Sequence, residues 1–181
     1  VLTLKKNISE LEEIVKKTQE VIKERDVSLA SITLASLIAS LSELGILTQG
    51  TVNALAYYFT PRICSYMMLK GITKEGDIKE SLMKTFKEYA FKEDDFNVKI
   101  DDNEVGIEIV SDNCKICPKG VGGAGILGSA CPIPYFVSIC LSLITKNQWG
   151  PETIRKGGKV TLVLKEEGRC KMRIKRLKNA E

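Results

Sequence analysis

Histidine is missing altogether from this chain of 181 residues. Its absence removes the side chain most used as a general base near neutral pH, and the commonest nitrogen ligand for metals. Ser-His-Asp and Cys-His machinery is therefore excluded, and any bound metal must rely on cysteines and carboxylates. Long apolar runs are missing too. The stretch from Ser28 to Leu47 is apolar, but serines, Thr33 and Glu43 interrupt it, so no segment reads as a bilayer span. No secretory signal is visible. The glycine-rich run Lys119 to Gly128 lacks the Gly-Lys-Ser/Thr ending of a Walker loop and follows no parallel-strand unit, so it is not read as a phosphate cradle. Conformational freedom beside a neighbouring cysteine motif explains its glycines better.

What is present suffices for one domain with a substantial core. Hydrophobic residues make up 44% and charged residues 28%. The net charge of +4 hides an asymmetry. Arg155 to Lys178 holds ten Lys and Arg against two Glu, while the other residues carry seventeen basic and twenty-one acidic groups. A local basic surplus of this kind is read first as the solvated face of a hairpin; nucleic acid is an unfavoured partner. Six cysteines without a secretory signal favour a reducing, cytoplasmic setting and metal binding over disulfides.

Ile8, Leu11, Val15, Val21 and Ile22 lie near a heptad seam with Lys and Glu between them, which predicts an amphipathic helix over Ser9 to Arg25. This N-terminal helix, residues 1–25, is set apart from a single domain over 26–178. It either lies on the domain surface or pairs with a second copy, so a homodimer is expected. Asp26 is expected to cap a helix reaching Leu44. Further helices are predicted over Val52 to Leu69, with Pro61 as a kink or break, and from about Asp77 to Phe91. The period then changes to two. Phe96, Val98 and Ile100, then Val105, Ile107 and Ile109, form a hairpin around Asp101-Asp102-Asn103. A helix follows from Pro132 or Pro134 to about Lys146, and Gly150-Pro151 breaks the chain. Strands Lys159 to Lys165 and Arg169 to Lys175 close it. The fold class is α+β, helices packed on a four-stranded antiparallel sheet.

The cysteines carry the chemistry. Cys114 and Cys117 form a Cys-x-x-Cys pair. Cys131 stands at the start of the last helix, and Cys170 shares an inward strand face with Met172 and Ile174. Four thiolates from three segments suit a closed tetrahedral Zn²⁺ site. Buried reduced thiols, an iron–sulfur cluster and a redox pair stay open as alternatives. Asp112 and Glu108 are reserve ligands. Cys140 is half a turn out of phase with Cys131, and Cys64 sits in an apolar helix. Both are expected to be ordinary buried thiols.

The element order, Cys131 before Pro-Ile-Pro-Tyr-Phe136, and the ending Gly168-Arg-Cys-Lys-Met-Arg-Ile174 resemble the 4-vinyl reductase family of small-molecule-binding domains. The likeness covers roughly Val27 to Leu177. It implies a fold akin to haem-NO-binding domains and TRAPP transport subunits, and a last metal-ligand role for Cys170. It also implies an apolar small molecule, a hydrocarbon or tetrapyrrole, held without catalysis. Together with the clustered aromatics it makes Tyr57, Tyr58, Met67, Phe86, Tyr135, Phe136 and Trp149 the candidate lining, between the aromatic helix and the sheet. A reductase or tetrapyrrole-handling enzyme, and a protein-interaction module, are the alternatives.

Overall fold

A computed structural model describes residues 8–126 and 130–177, Lys159 by its backbone alone; Gly128 and Lys178, cited above, lie outside them. Five helices precede or interrupt the strands. They are α1 (Ile8–Arg25), α2 (Leu29–Glu43), α3 (Gln49–Leu69), α4 (Ile78–Glu88) and α5 (Ile133–Thr145). Side-chain oxygens set three of the helix starts. Ser28, Thr48 and Asp77 accept the N–H three residues on, which satisfies donors that the helix itself leaves free. Asp26 does not cap α2 as expected. It closes α1 in a left-handed conformation, φ +50°, and Ser28 takes the capping role.

α3 runs unbroken through Pro61. The carbonyl that loses its partner belongs to Tyr57, and both residues lie on the exposed face, where water replaces the missing N–H. The opposite face of α3 is a stripe of Val52, Ala56, Thr60, Cys64 and Met67, all buried, that faces the core.

The strands are β1 (Phe96–Asp101), β2 (Glu104–Val110), β3 (Trp149–Pro151), β4 (Ile154–Lys156), β5 (Lys159–Thr161), β6 (Leu164–Glu166) and β7 (Arg169–Arg176). β1, β2, β7 and β3 form an antiparallel sheet in that order. β2 follows β7 along one edge, from Glu104 opposite Lys175 to Val110 opposite Arg169. β6 and β3 share the other edge, opposite residues 169–171 and 174–176. The architecture is therefore α+β, as expected, with β6 as a fifth strand and β4–β5 as a separate ribbon. Two expectations are corrected. Gly150-Pro151 does not break the chain but ends an edge strand, where proline's missing N–H costs no ladder bond. The strand foreseen over Lys159 to Lys165 is two strands. Thr161 Oγ1 accepts the N–H of Val163 at 3.2 Å and donates to its carbonyl at 2.9 Å, so a hydroxyl takes the place of a strand partner.

The inward face of the sheet carries Val105, Ile107, Ile109, Met172 and Ile174, each at most 1% exposed. α5 lies on this face with Ile133, Val137 and Leu141, also at most 1% exposed, and α3 and α4 pack beside it. Each such side chain contributes about 1.5–3 kcal/mol on leaving water. At the α3–α5 seam Cys64 and Cys140 form a disulfide, their Cα atoms 6.1 Å apart. The expectation of two reduced thiols is thereby corrected. Both face the core as expected, but from facing helices, which brings them within bonding range. The bridge closes a loop of 76 residues. Replacing both cysteines by alanine is expected to lower unfolding stability by about 2–4.5 kcal/mol, the upper figure from chain entropy alone. Denaturant melts measure it. Peptide mapping without reductant should recover the two cysteines linked, and free thiols at both would refute the bridge.

Candidate metal centre

The chain leaves β2 through a short 3-10 turn, Ser111–Asn113, and enters the Cys-x-x-Cys segment. Lys115, between the two cysteines, turns inward, its side chain only 4% exposed. Its Nζ lies 3.6 Å from Asp95 Oδ2 and donates to the carbonyl of Arg25 at the end of α1. Asp95 is equally buried. It accepts the N–H of Lys92 at 2.8 Å and the amide of Asn113 at 2.7 Å. Arg25 completes the anchorage, donating to the carbonyls of Cys117 and Lys119, each at 2.8 Å.

The glycine-rich loop seats a helix. Ile14, Thr18, Val21 and Arg25 form the face of α1 that meets it, and Thr18 Oγ1 accepts the N–H of Gly122 at 3.1 Å. Gly123 has φ +85°, and a Cβ there would stand 2.7 Å from Lys17 Cδ. The positive φ favours glycine there, whereas the Lys17 side chain is flexible and can swing aside from a Cβ. The seam expected from the sequence is divided. Val21 is buried, whereas Ile8, Leu11, Val15 and Ile22 remain exposed.

Cys114, Cys117, Cys131 and Cys170 are free, and all four line one cavity of about 100 Å³. Its remaining walls are mostly apolar, among them Ile109, Ile116, Ile126, Ile133, Val163 and Met172. Cys114 and Cys117 share a thiol hydrogen bond. Three of the sulfurs also face the backbone N–H two residues on: Cys114 that of Ile116, Cys117 that of Lys119, and Cys131 that of Ile133. The Ile133 N–H is one of the free donors at the start of α5, which favours negative charge on Cys131.

These contacts and burial pull in opposite directions. The hydrogen bond from Cys114 above all, with the Lys119 N–H and the charges of Arg25 and Lys119, brings the Cys117 thiol down to about 6. Cys114 is pushed well up by the same shared bond and by burial. Burial raises Cys131 to about 12, and it raises Cys170 while Lys165 pulls the other way. As the side chains stand, no group of three or more Cys, Asp or Glu among the described residues is arranged to hold a metal ion. The two reserve ligands lie apart from the cavity lining. Glu108 lies on the outer face of the sheet, near Lys99, and Asp112 is exposed.

The residues expected to line an aromatic pocket are not gathered in one place. Met67, Phe86, Phe136 and Trp149 belong to the main core, while Tyr57 and Tyr58 are 64% and 69% exposed. Tyr135 is half-buried in α5. None of the seven lines the cysteine cavity, nor a second hollow of about 400 Å³ on the outer face of the sheet. Sequence reasoning missed Arg25, Lys115 and Lys165 as neighbours of the cysteines. A lysine inside the Cys-x-x-Cys spacer was the available signal. Among the described residues, four cations of the basic segment, Lys156, Lys171, Arg173 and Lys175, stand beside carboxylates. Lys175 pairs with Glu152 at 2.6 Å and lies 3.7 Å from Glu104, and Arg173 Nε lies 2.7 Å from Glu152 as an ion pair without hydrogen-bond alignment. Lys156 pairs with Glu166.

An α+β frame that brings four thiols to one cavity defines the class of protein, and comparison supplies its family. The model of the MJ0207 family matches residues 45–176, so the chain belongs to that family. A protein of Methanocaldococcus jannaschii, Uncharacterized protein MJ1342, is 46% identical over 76 residues, which is 42% of this chain and 62% of the relative. The chain thus spans under two thirds of that relative's length. No solved structure matches. The 4-vinyl reductase resemblance is corrected by these findings. It rested on element order and on single cysteines beside helix and strand ends, features that unrelated α+β domains share.

Breaking the buried ion pair tests how the loop is held. Lys115→Met alone should cost about 3–5 kcal/mol, because it leaves the Asp95 carboxylate buried and uncompensated. Adding Asp95→Asn should restore part of that loss. Denaturant midpoints of the double-mutant cycle decide, and strictly additive losses would show that the two groups act independently.

Proposed function

We propose that this chain is a metal–thiolate domain in which Cys114, Cys117, Cys131 and Cys170 hold one Zn²⁺ without catalysis. The observation that carries this reading is the convergence of four free thiols from three segments on one apolar cavity, three of them facing backbone N–H groups. Such N–H groups stabilise thiolate, the form that binds metal, and apolar walls strengthen the electrostatic attraction of a dication. The donor set is soft and free of nitrogen, which suits zinc or an iron–sulfur cluster. Closing the shell asks the thiols to turn inward from their present positions. With four thiolates the ion keeps no open position for water, so its contribution is to folding.

An apolar ligand is the second reading. It draws on the isoleucine walls of the same cavity rather than on the aromatics. At about 100 Å³ that space falls well below the few hundred Å³ of a typical ligand pocket, which favours an ion over a hydrocarbon.

Metal analysis of protein purified without chelator should find zinc, lost in Cys114→Ser, Cys117→Ser, Cys131→Ser and Cys170→Ser. Full metal content in any of these would remove that residue from the shell. Visible absorption from a sulfide cluster would replace zinc by iron–sulfur.

A homodimer is part of the proposal, because Ile8, Leu11, Val15 and Ile22 leave an apolar seam on α1 in water. Sedimentation of the intact chain and of a version beginning at Asp26 should show pairing that depends on α1. A monomer at about 50 μM, a concentration well above a micromolar dissociation constant, would exclude it.

A further inference from the structure

The hollow of about 400 Å³ on the outer face of the sheet falls within the size range of small-molecule sites. None of the four cysteines lines it. Gly106, in the middle of β2, lies at its floor, between Lys99 on β1 and Arg173 on β7. Glycine inside a strand weakens it, and usually serves a bulge, a left-handed backbone or a close neighbour. None of these applies here. The register runs through Gly106 without interruption, and its φ is not in the left-handed range. Beyond the chain neighbours, a Cβ would meet nothing nearer than Lys99, at 3.9 Å. Among the described residues, none fills the space that the missing side chain leaves.

The charges around this space come in both signs. Glu104 and Glu108 flank Gly106 along β2, with Asp101 beyond them at the hairpin end, and Lys99, Lys171 and Arg173 are the cations. Glu104 stands 3.7 Å from Lys175, Glu108 3.9 Å from Lys99, and Lys171 4.0 Å from Glu166, all longer than a hydrogen bond. Glu152, which does not line the hollow, stands 2.7 Å from Arg173 Nε. The two terminal nitrogens of that guanidinium meet no acceptor among the described residues. A ligand of one sign would face repulsion from half of these groups, whereas a ligand carrying both signs is matched by them. Ile154 and Leu164 add an apolar wall. We propose that the hollow binds a small zwitterion with an apolar side group, of the free amino acid class. Its carboxylate lies on Arg173, whose planar fork donates two parallel bonds. Its ammonium takes the space above Gly106, between Glu104 and Glu108, and its side group lies against Ile154 and Leu164. The proposal does not depend on the metal–thiolate reading.

Chemical-shift titration of the full chain with leucine, 4-methylpentanoate and 3-methylbutylamine tests it. The second probe lacks leucine's ammonium and the third its carboxylate. Leucine should saturate the chain, and each single-charge analogue should bind about tenfold more weakly, having lost its charge-assisted hydrogen bonds. Arg173→Gln should weaken leucine about tenfold for the same reason. Glu104→Gln with Glu108→Gln should bring leucine down to the level of 4-methylpentanoate. Gly106→Val should abolish leucine binding while raising the denaturant midpoint, because a β-branched residue suits a strand better than glycine does. The proposal is overturned if leucine shows no saturable binding up to about 10 mM, a concentration above a millimolar dissociation constant. It is equally overturned if 4-methylpentanoate binds as tightly as leucine, which would make the hollow an anion site. Leucine binding that is unchanged in Arg173→Gln, or in a folded Gly106→Val chain, would place the ligand elsewhere and also overturn it.

Discussion

One buried ammonium group organises the half of the molecule that matters most. Lys115 Nζ is out of water, and a charge there is tolerable only because Asp95 stands against it and a carbonyl of α1 accepts its proton. Those two partners come from the entry to β1 and from the end of α1. The pair therefore fixes where the Cys-x-x-Cys loop sits relative to both sheet and helix. Asp95 is itself held by Lys92 and Asn113, so few polar atoms are left unmet around the charge. Geometry at the cysteines is inherited from this arrangement, because Cys114 and Cys117 are the immediate neighbours of the segment it clamps.

The sheet contributes in a different way. β7 is the strand on which the others converge, with β2 on one side and β6 and β3 on the other. Its inward residues, Cys170, Met172 and Ile174, carry it from the cavity into the core. The thiol is thus continuous with the hydrophobic interior, and moving it would disturb a register fixed by Met172 and Ile174. Its outward residues, Arg169, Lys171, Arg173 and Lys175, account for much of the basic segment. Glu104, Glu152 and Glu166 stand beside Lys171, Arg173 and Lys175 and offset part of that charge, and a count along the sequence does not reveal such pairing.

Much of the frame was legible because it is periodic. The four-residue stripe of α4, the alternation in β1 and β2, and the inward phase of Cys170 all follow from helix and strand geometry. The grouping of four cysteines was legible as well, from one close pair and two thiols placed at element ends. What escaped detection depends on distance along the chain or on a single polar atom. Nothing local to Cys64 announces Cys140. The Thr161 hydroxyl splits a run whose β-branched residues favour a continuous strand. Pro151 reads as a break unless its strand is known to lie at an edge. The aromatics misled because Tyr57 and Tyr58 share α3 with Met67 but face away from it, and the family suggested by element order was the wrong one.

Gly122 and Gly123 have a further implication, for reading other sequences. Their lack of side chains makes room for α1, a helix that lies before the stretch matched by the family model. In a related chain, glycine at both positions, with a threonine and a small apolar residue at helical spacing upstream, would mark the same docked helix. A branched or bulky residue at the Gly122 position, where even a Cβ would stand 3.3 Å from Ile14 Cγ2, would signal that the helix or the loop is placed differently. Two small residues in the later part of a sequence can thus report on the architecture of its beginning.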